Sequence, residues 1–276
     1  MLELVFDKGI GNSIITTKNI CNRTTIIETI DNVMTIKFQK DIEYSKSYLD
    51  QIATFLRNFC IIHGKNITII DGNIEQYKLD TIKNQSLLIQ KNDGQMKAIP
   101  IDINKFFEKY KSNTRQYSYI NNAFPWLILM YKTGYFVERI RILFTLVDML
   151  STYLVRTRKI IERFNTFYSN ISYSGDQTDS ILNLLVDLWQ DENIKNNREG
   201  FTGIAGIVNG VLNDDKITDN ILRISMICYE LRNRNFHGNM SPVVTYNSKT
   251  KNVYDFIEDI TLNGIYTILQ KIIEDL

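Results

Sequence analysis

The chain has little of what many enzyme classes are built on. Among its 276 residues there are three cysteines, Cys21, Cys60 and Cys228, and they form no C-x-x-C pair. An odd number of widely spaced thiols supports neither a disulfide framework nor a cysteine zinc site, and a reducing cytoplasm is the expected location. Two histidines, His63 and His237, are too few for a histidine-rich metal centre. Neither sign of charge dominates: 32 Lys and Arg stand against 31 Asp and Glu, a formal charge of +1. That excludes a basic coat over the whole surface and leaves room for a local basic face. No apolar run approaches the length of a bilayer span, and the most apolar stretch, 124–130, is far too short. The first residues, Met1-Leu2-Glu3-Leu4, lack the basic-then-apolar pattern of a secretion signal. The phosphate loop G-x-x-x-x-G-K-[ST], the dinucleotide fingerprint G-x-G-x-x-G, H-E-x-x-H and G-x-S-x-G are all absent.

What is present suits a globular protein. Hydrophobic residues make up 44% and charged residues 23%, enough for a core and too apolar for wholesale disorder. The length fits one large domain or two small ones. Composition divides the chain. Up to about residue 100, β-branched runs alternate with turn residues: Ile14-Ile15-Thr16-Thr17, Thr24-Thr25-Ile26-Ile27, 33–38 and 66–70 are strand-like. Asp71-Gly72 and Asp93-Gly94 are turn signals. One helix is expected here, because Tyr48, Leu49, Ile52, Phe55, Leu56 and Phe59 repeat at helical spacing.

From about Asn121 the periodicity becomes helical. Phe136, Ile140, Leu143, Phe144, Val147, Leu150, Leu154 and Ile161 predict one long helix over 134–167. Further helices are predicted from about Asp179, over 202–212, after the capping residues Thr218-Asp219, and over 253–275. Gly238 and Pro242 mark the end of the penultimate helix. Pro100, Pro125 and Pro242 are all expected outside helices. The fold class is therefore α+β: a β-containing N-terminal module, 1–120, then an all-α bundle of four or five helices, 121–276.

One constellation carries chemistry. The penultimate helix ends Leu231-Arg232-Asn233-Arg234-Asn235-Phe236-His237-Gly238. A guanidinium binds phosphate oxygens bidentately and stabilises charge that develops in a transition state. An imidazole titrates near neutrality and moves a proton to or from a ribose hydroxyl. In an unbroken helix the step from Arg232 to His237 turns through about 500°, a net divergence of about 140°, so the two converge only if the helix loosens near Gly238.

This stretch resembles the motif of the HEPN superfamily, R-x4-6-H, in its form R-N-x-x-x-H, here Arg232-Asn233-x-x-x-His237 with a glycine following, as in the ApeA-like branch. The resemblance covers roughly 121–276; ApeA-like proteins are usually longer, and 1–120 matches nothing that can be named. The resemblance implies a helical bundle that cuts RNA without a metal ion or other cofactor. It implies attack of a 2′-hydroxyl on the adjacent phosphate, leaving a cyclic phosphate and a 5′-hydroxyl. Arg232 would stabilise phosphate charge, His237 would act as general acid or base, and Asn233 would orient the imidazole or the phosphate. It further implies a homodimer through the C-terminal domain, with RNA as substrate. The expected setting is anti-phage defence or a toxin system, with the N-terminal module as a sensor that meets a protein trigger.

Weaker expectations attach to other residues. Arg234 would contact substrate phosphate. Arg156, Lys159 and Arg163 share one face of the expected 134–167 helix and would form an RNA-phosphate stripe. Asp148, an acid between Val147 and Met149, would orient the motif or pair with a nearby arginine. A look-alike, Arg57-Asn58-Phe59-Cys60-Ile61-Ile62-His63-Gly64, has one more residue in its spacer, and that spacer is apolar, which favours packing. The alternative to an enzyme is a non-catalytic HEPN-like scaffold or regulator that binds RNA, a nucleotide or a protein partner.

Overall fold

The computed structural model describes residues 2–7, 9, 14–20, 23–38, 46–64, 69–86, 98–99, 101, 106, 115–171, 183, 204–236 and 248–276. An N-terminal β-sheet module is followed by a mostly helical C-terminal region. The chain divides into two units, one of Met1–Gly134 with Leu269–Leu276 and the other of Tyr135–Ile268.

The first unit holds a five-stranded antiparallel sheet of β1 (Leu2–Phe6), β2 (Ile14–Ile20), β3 (Arg23–Ile30), β4 (Val33–Phe38) and β5 (Ile69–Gly72), in the order β2-β3-β4-β1-β5. Period-2 alternation sets its register. Leu2, Leu4 and Phe6 pair with Phe38, Ile36 and Met34, and all six are fully buried. Asp31 and Asn32 both take positive φ, 50° and 65°, and close the β3–β4 hairpin in two residues. Short polar side chains tolerate that left-handed geometry, which matches the strand twist. Helix α1 (Lys46–His63) covers the apolar sheet face, with Phe55 edge-on to Phe38 at 5.8 Å between ring centroids. Helices α2 (Gln76–Ser86) and α3 (Arg115–Lys132) pack against α1, which explains why α1 is buried on nearly every side.

Four sequence expectations change in this unit. The one helix expected in the first hundred residues is joined by a second, α2. Asp71-Gly72 is not a turn: it lies within β5, where Gly72 pairs with Leu4. A Cβ at Gly72 would stand 3.1 Å from the Leu4 side chain and 3.2 Å from the Glu3 carbonyl, so the glycine permits a close approach. Pro125 is inside helix α3, not outside it. An interior proline costs roughly 3 kcal/mol. Buried side chains of α3 offset that, among them Ile120, Phe124, Leu127, Ile128 and Met130, each contributing on the order of 1.5–3 kcal/mol. Residue 120 falls in the middle of α3, so that helix belongs whole to the first unit. Asp93-Gly94 lies outside the described residues.

The second unit contains α4 (Phe136–Leu154), α5 (Ile160–Ser169), α6 (Ile204–Leu212), α7 (Asn220–Phe236) and α8 (Ser248–Glu274), the last of which ends among the residues of the first unit. Phe164 is central to its core, 6.0 Å from Phe144 and 6.1 Å from Tyr229 between ring centroids. Ile224, Ile227, Cys228 and Leu231 present the apolar stripe of α7. The Tyr168 hydroxyl meets Thr261 Oγ1 at 2.8 Å and fixes α5 to α8. At Gly264 a Cβ would come within 2.4 Å of Ile171, so α8 needs glycine there. Burial pushes the Cys228 thiol up to about 12, which makes it an inert core group.

The single helix expected over 134–167 is broken. Helix α4 ends at Leu154, and Val155 is extended at φ −141° and ψ 135°. Thr157 supplies the reason for a restart. Its hydroxyl accepts the Lys159 N–H at 3.2 Å and donates to Glu162 Oε2 at 2.7 Å, so the threonine and an acid in the first turn begin α5. Helix α5 then packs back against α4. Of the helix expected from Asp179 only residue 183 is described, and it is helical; Gly238 and Pro242 lie outside the described residues. The final helix starts at Ser248, five residues earlier than expected. No helix among the described residues is long and apolar enough to cross a membrane.

Candidate functional site: an arginine–aspartate cluster at the end of α7

Helix α7 is started by Asp219, whose Oδ1 accepts the Leu222 N–H at 2.7 Å. It runs to Phe236. His237 itself lies outside the described residues.

Arg232 sits one position beyond the buried stripe of α7, on its flank. Its Nη2 is 3.6 Å from Asp148 Oδ2 of α4. The other oxygen of Asp148 is 2.8 Å from Arg163 Nη2 of α5. Side-chain exposures are 16% for each arginine and 27% for the aspartate. Three helices therefore bring one carboxylate between two guanidiniums. The break at Leu154 makes this possible, since in one continuous helix Asp148 and Arg163 would stand about 22 Å apart. The contacts are ion pairs without hydrogen-bond alignment: Asp148 Oδ1 and the Nε of both arginines have no hydrogen-bond partner among the described residues.

Other groups hold the end of α7. The Arg232 guanidinium lies over the Phe236 ring, 4.6 Å from its centroid, a helical i,i+4 cation–π contact. Its Nη1 donates to Asn233 Oδ1 at 3.3 Å. Arg141 of α4 donates to the Asn235 carbonyl at 3.4 Å, and so satisfies a last-turn carbonyl with a cation where the helix dipole favours one. Asn235 is 2% exposed, and neither atom of its amide has a partner among the described residues. Phe236 is half exposed.

The sequence-predicted residues thus separate. Arg232, Asn233, Asp148 and Arg163 come together. Arg234 is half-buried on the same turn. Arg156 and Lys159 do not share a helical face with Arg163, because 155–159 is not helical. Both are exposed on the α4–α5 connection, where Lys159 pairs with Glu162 at 2.8 Å. That partner lifts the lysine above its usual value and holds the Glu162 carboxyl below its own. The sequence reading missed Arg141, Asn235 and Phe236. Phe236 was findable from its i,i+4 spacing to Arg232; Arg141 was not, since only the packing of α4 on α7 brings it near.

A separate ion pair joins α4 to α8, between Arg139 and Glu258. Burial raises the Glu258 carboxyl despite the arginine, and Asp259 is raised by burial and by Asp255. Among the described residues no group of three His, Cys, Asp or Glu side chains is placed to hold a metal ion. No family model matches the chain, and no curated protein or solved structure shows significant similarity to it.

Proposed function

We propose that the C-terminal helical unit is an endoribonuclease of the HEPN type that cuts RNA without a metal ion. The observation that carries the reading is the placement of Arg232: it begins the R-N-x-x-x-H stretch, lies in the last turn of α7, and is held by an aromatic ring, an amide and a carboxylate from another helix. In this mechanism Arg232 binds a non-bridging phosphate oxygen and stabilises the charge that builds on it. His237 takes the proton from the ribose 2′-hydroxyl as its oxygen bonds to phosphorus. The bond from phosphorus to the 5′-oxygen breaks, and that oxygen receives a proton from a general acid. The products are a 2′,3′-cyclic phosphate and a 5′-hydroxyl. One motif supplies one imidazole, whereas a base and an acid are both needed, so two copies of the chain with facing motifs complete the site.

One observation favours a second reading. The contacts of Arg232 with Asp148, Asn233 and Phe236 are also what a structural stitch between α4 and α7 would make, and a scaffold that binds RNA, a nucleotide or a protein needs nothing more. Incubation of the purified protein with a mixed RNA pool in EDTA separates the two. Cleavage to cyclic-phosphate ends supports the enzyme. Cleavage that stops in EDTA and returns with Mg²⁺ or Mn²⁺ refutes the metal-free mechanism, and no cleavage by a folded dimer favours the scaffold.

A further inference from the structure

The cluster at the end of α7 carries surplus charge. Asp148 has one negative charge and stands between two guanidiniums, which leaves one positive charge uncompensated among three largely buried side chains. The carboxylate is not shared equally. It is 2.8 Å from Arg163 and 3.6 Å from Arg232. The carboxylate therefore stands nearer Arg163 than Arg232, as an ion pair without hydrogen-bond alignment. Arg232 is instead oriented by weaker contacts, the Phe236 ring at 4.6 Å and Asn233 Oδ1 at 3.3 Å. Its Nε is buried without a hydrogen-bond partner among the described residues. A guanidinium that is fixed in place and shares its one carboxylate with a second guanidinium suits an anionic oxygen, because its orientation is set beforehand and part of its charge is still available.

We propose that Arg163 is a positioning residue for Arg232: by holding Asp148 against its own guanidinium, it keeps the carboxylate from closing on Arg232 and leaves Arg232 free to bind a phosphodiester oxygen. The proposal rests on the reading of Arg232 as the phosphate-binding group. Without Arg163, Asp148 has Arg232 as its remaining cationic partner, and less than an ångström separates their present distance from a closed ion pair. The closed pair would occupy the donors that the phosphate needs. Arg163 thus acts through Asp148 and not by touching RNA.

A double-mutant cycle tests this, with binding of a 2′-O-methyl RNA oligonucleotide of mixed sequence read by fluorescence anisotropy at fixed salt. The blocked 2′-oxygen prevents cleavage, so affinity is measured apart from turnover. Arg163→Ala is expected to weaken binding about tenfold, the effect of neutralising one charge-assisted contact. In an Asp148→Asn background the same change is expected to cost less than about twofold, because no carboxylate remains to close. Arg163→Lys should keep affinity within about threefold of wild type, since an ammonium also holds Asp148. Arg158→Ala removes the same charge from an exposed position nearby and should cost less than about threefold. Arg163→Gln, which keeps most of the side-chain packing, carries the same expectations as alanine should the alanine variant fail to fold. Equal losses in the wild-type and Asp148→Asn backgrounds, with circular dichroism and melting unchanged, overturn the proposal and leave the RNA reading standing. A wild-type protein that does not bind the oligonucleotide overturns both.

Discussion

Arg57-Asn58 on α1 and Arg232-Asn233 on α7 begin the same short pattern, and each pattern ends in His-Gly. Their surroundings have little in common. Helix α1 lies between a sheet face and two helices, Asn58 is fully buried, and the His63 ring packs on Phe59 at 4.5 Å between centroids. The α7 pattern falls in a last turn, where Arg232 and Asn233 are partly exposed and ionic groups arrive from α4 and α5. A short motif records which side chains are available. Whether they meet substrate or one another depends on which helix face they occupy and on what packs against it.

The largest effect expected from breaking this comparison is on cleavage. Arg232→Ala should lower RNA cleavage about 10²–10³-fold, the usual cost of losing a positioned donor to a developing oxyanion. His237→Ala should lower it about 10²–10⁴-fold. Arg57→Ala and His63→Ala should leave it unchanged, apart from any loss of folded protein. The four variants are compared on one mixed RNA pool, each matched to wild type by circular dichroism and melting temperature. Full activity in His237→Ala, or loss confined to His63→Ala, would mean that the chemistry belongs to the other pattern or to neither.

The same contrast explains how much could be read from the sequence. Strand β4 was legible to the residue because Val33–Phe38 is β-branched or apolar at every second position. The interior strand β1 was not, although Leu2, Leu4 and Phe6 alternate, since the apolar Val5 between them blurs so short a pattern; pairing with β4 and β5 makes these residues a strand. The interruption at Val155 was hidden for another reason. No glycine or proline marks it, and the apolar spacing of Leu150, Leu154 and Ile161 runs through the gap. The continuous periodicity therefore puts Arg163 on an RNA-phosphate stripe with Arg156 and Lys159, and its partnership with Asp148 arises only because α5 folds back on α4. Asp148 stands out in the sequence as an acid inside an apolar helix face, and the structure places it beside Arg163 and Arg232.

A middle-sized effect is expected on stability at the N-terminal pattern. Asn58 is 0% exposed, and neither its Oδ1 nor its Nδ2 has a hydrogen-bond partner among the described residues. A buried amide without partners carries its desolvation penalty uncompensated, roughly 1–3 kcal/mol. Asn58→Leu, similar in volume and apolar, should therefore raise the unfolding free energy by about 1–2 kcal/mol. Asn233→Leu removes an amide that is partly exposed and bonded to Arg232, and should change it by less than about 0.5 kcal/mol. Urea unfolding at neutral pH checks both. A loss of stability in Asn58→Leu would show that the asparagine is satisfied and that α1 depends on it.

The smallest effect separates the two units by the sign of their response to acid. In the first unit the hydrogen bond from Lys78 holds the Glu75 carboxyl below its usual value of 4.5, and because Glu75 is exposed the pair contributes only slightly. In the second unit burial holds the Glu258 carboxyl above 4.5, with Arg139 opposing. A carboxyl lowered on folding contributes stability above 4.5 that is lost as pH falls through the folded value. A carboxyl raised on folding does the reverse: the folded state binds its proton more tightly, so the contribution is complete below 4.5 and is lost as pH rises through the folded value. Glutamine mimics the protonated side chain at every pH. The melting temperature of Glu258→Gln relative to wild type should therefore be higher at pH 7 than at pH 4.5. For Glu75→Gln the same difference should be small and of opposite sign. Any constant cost of leaving Arg139 without its charged partner cancels in the comparison between the two pH values. A Glu258→Gln difference that falls with rising pH would mean that the attraction of Arg139 outweighs burial, and that α4 and α8 are joined by an ion pair strongest at neutrality.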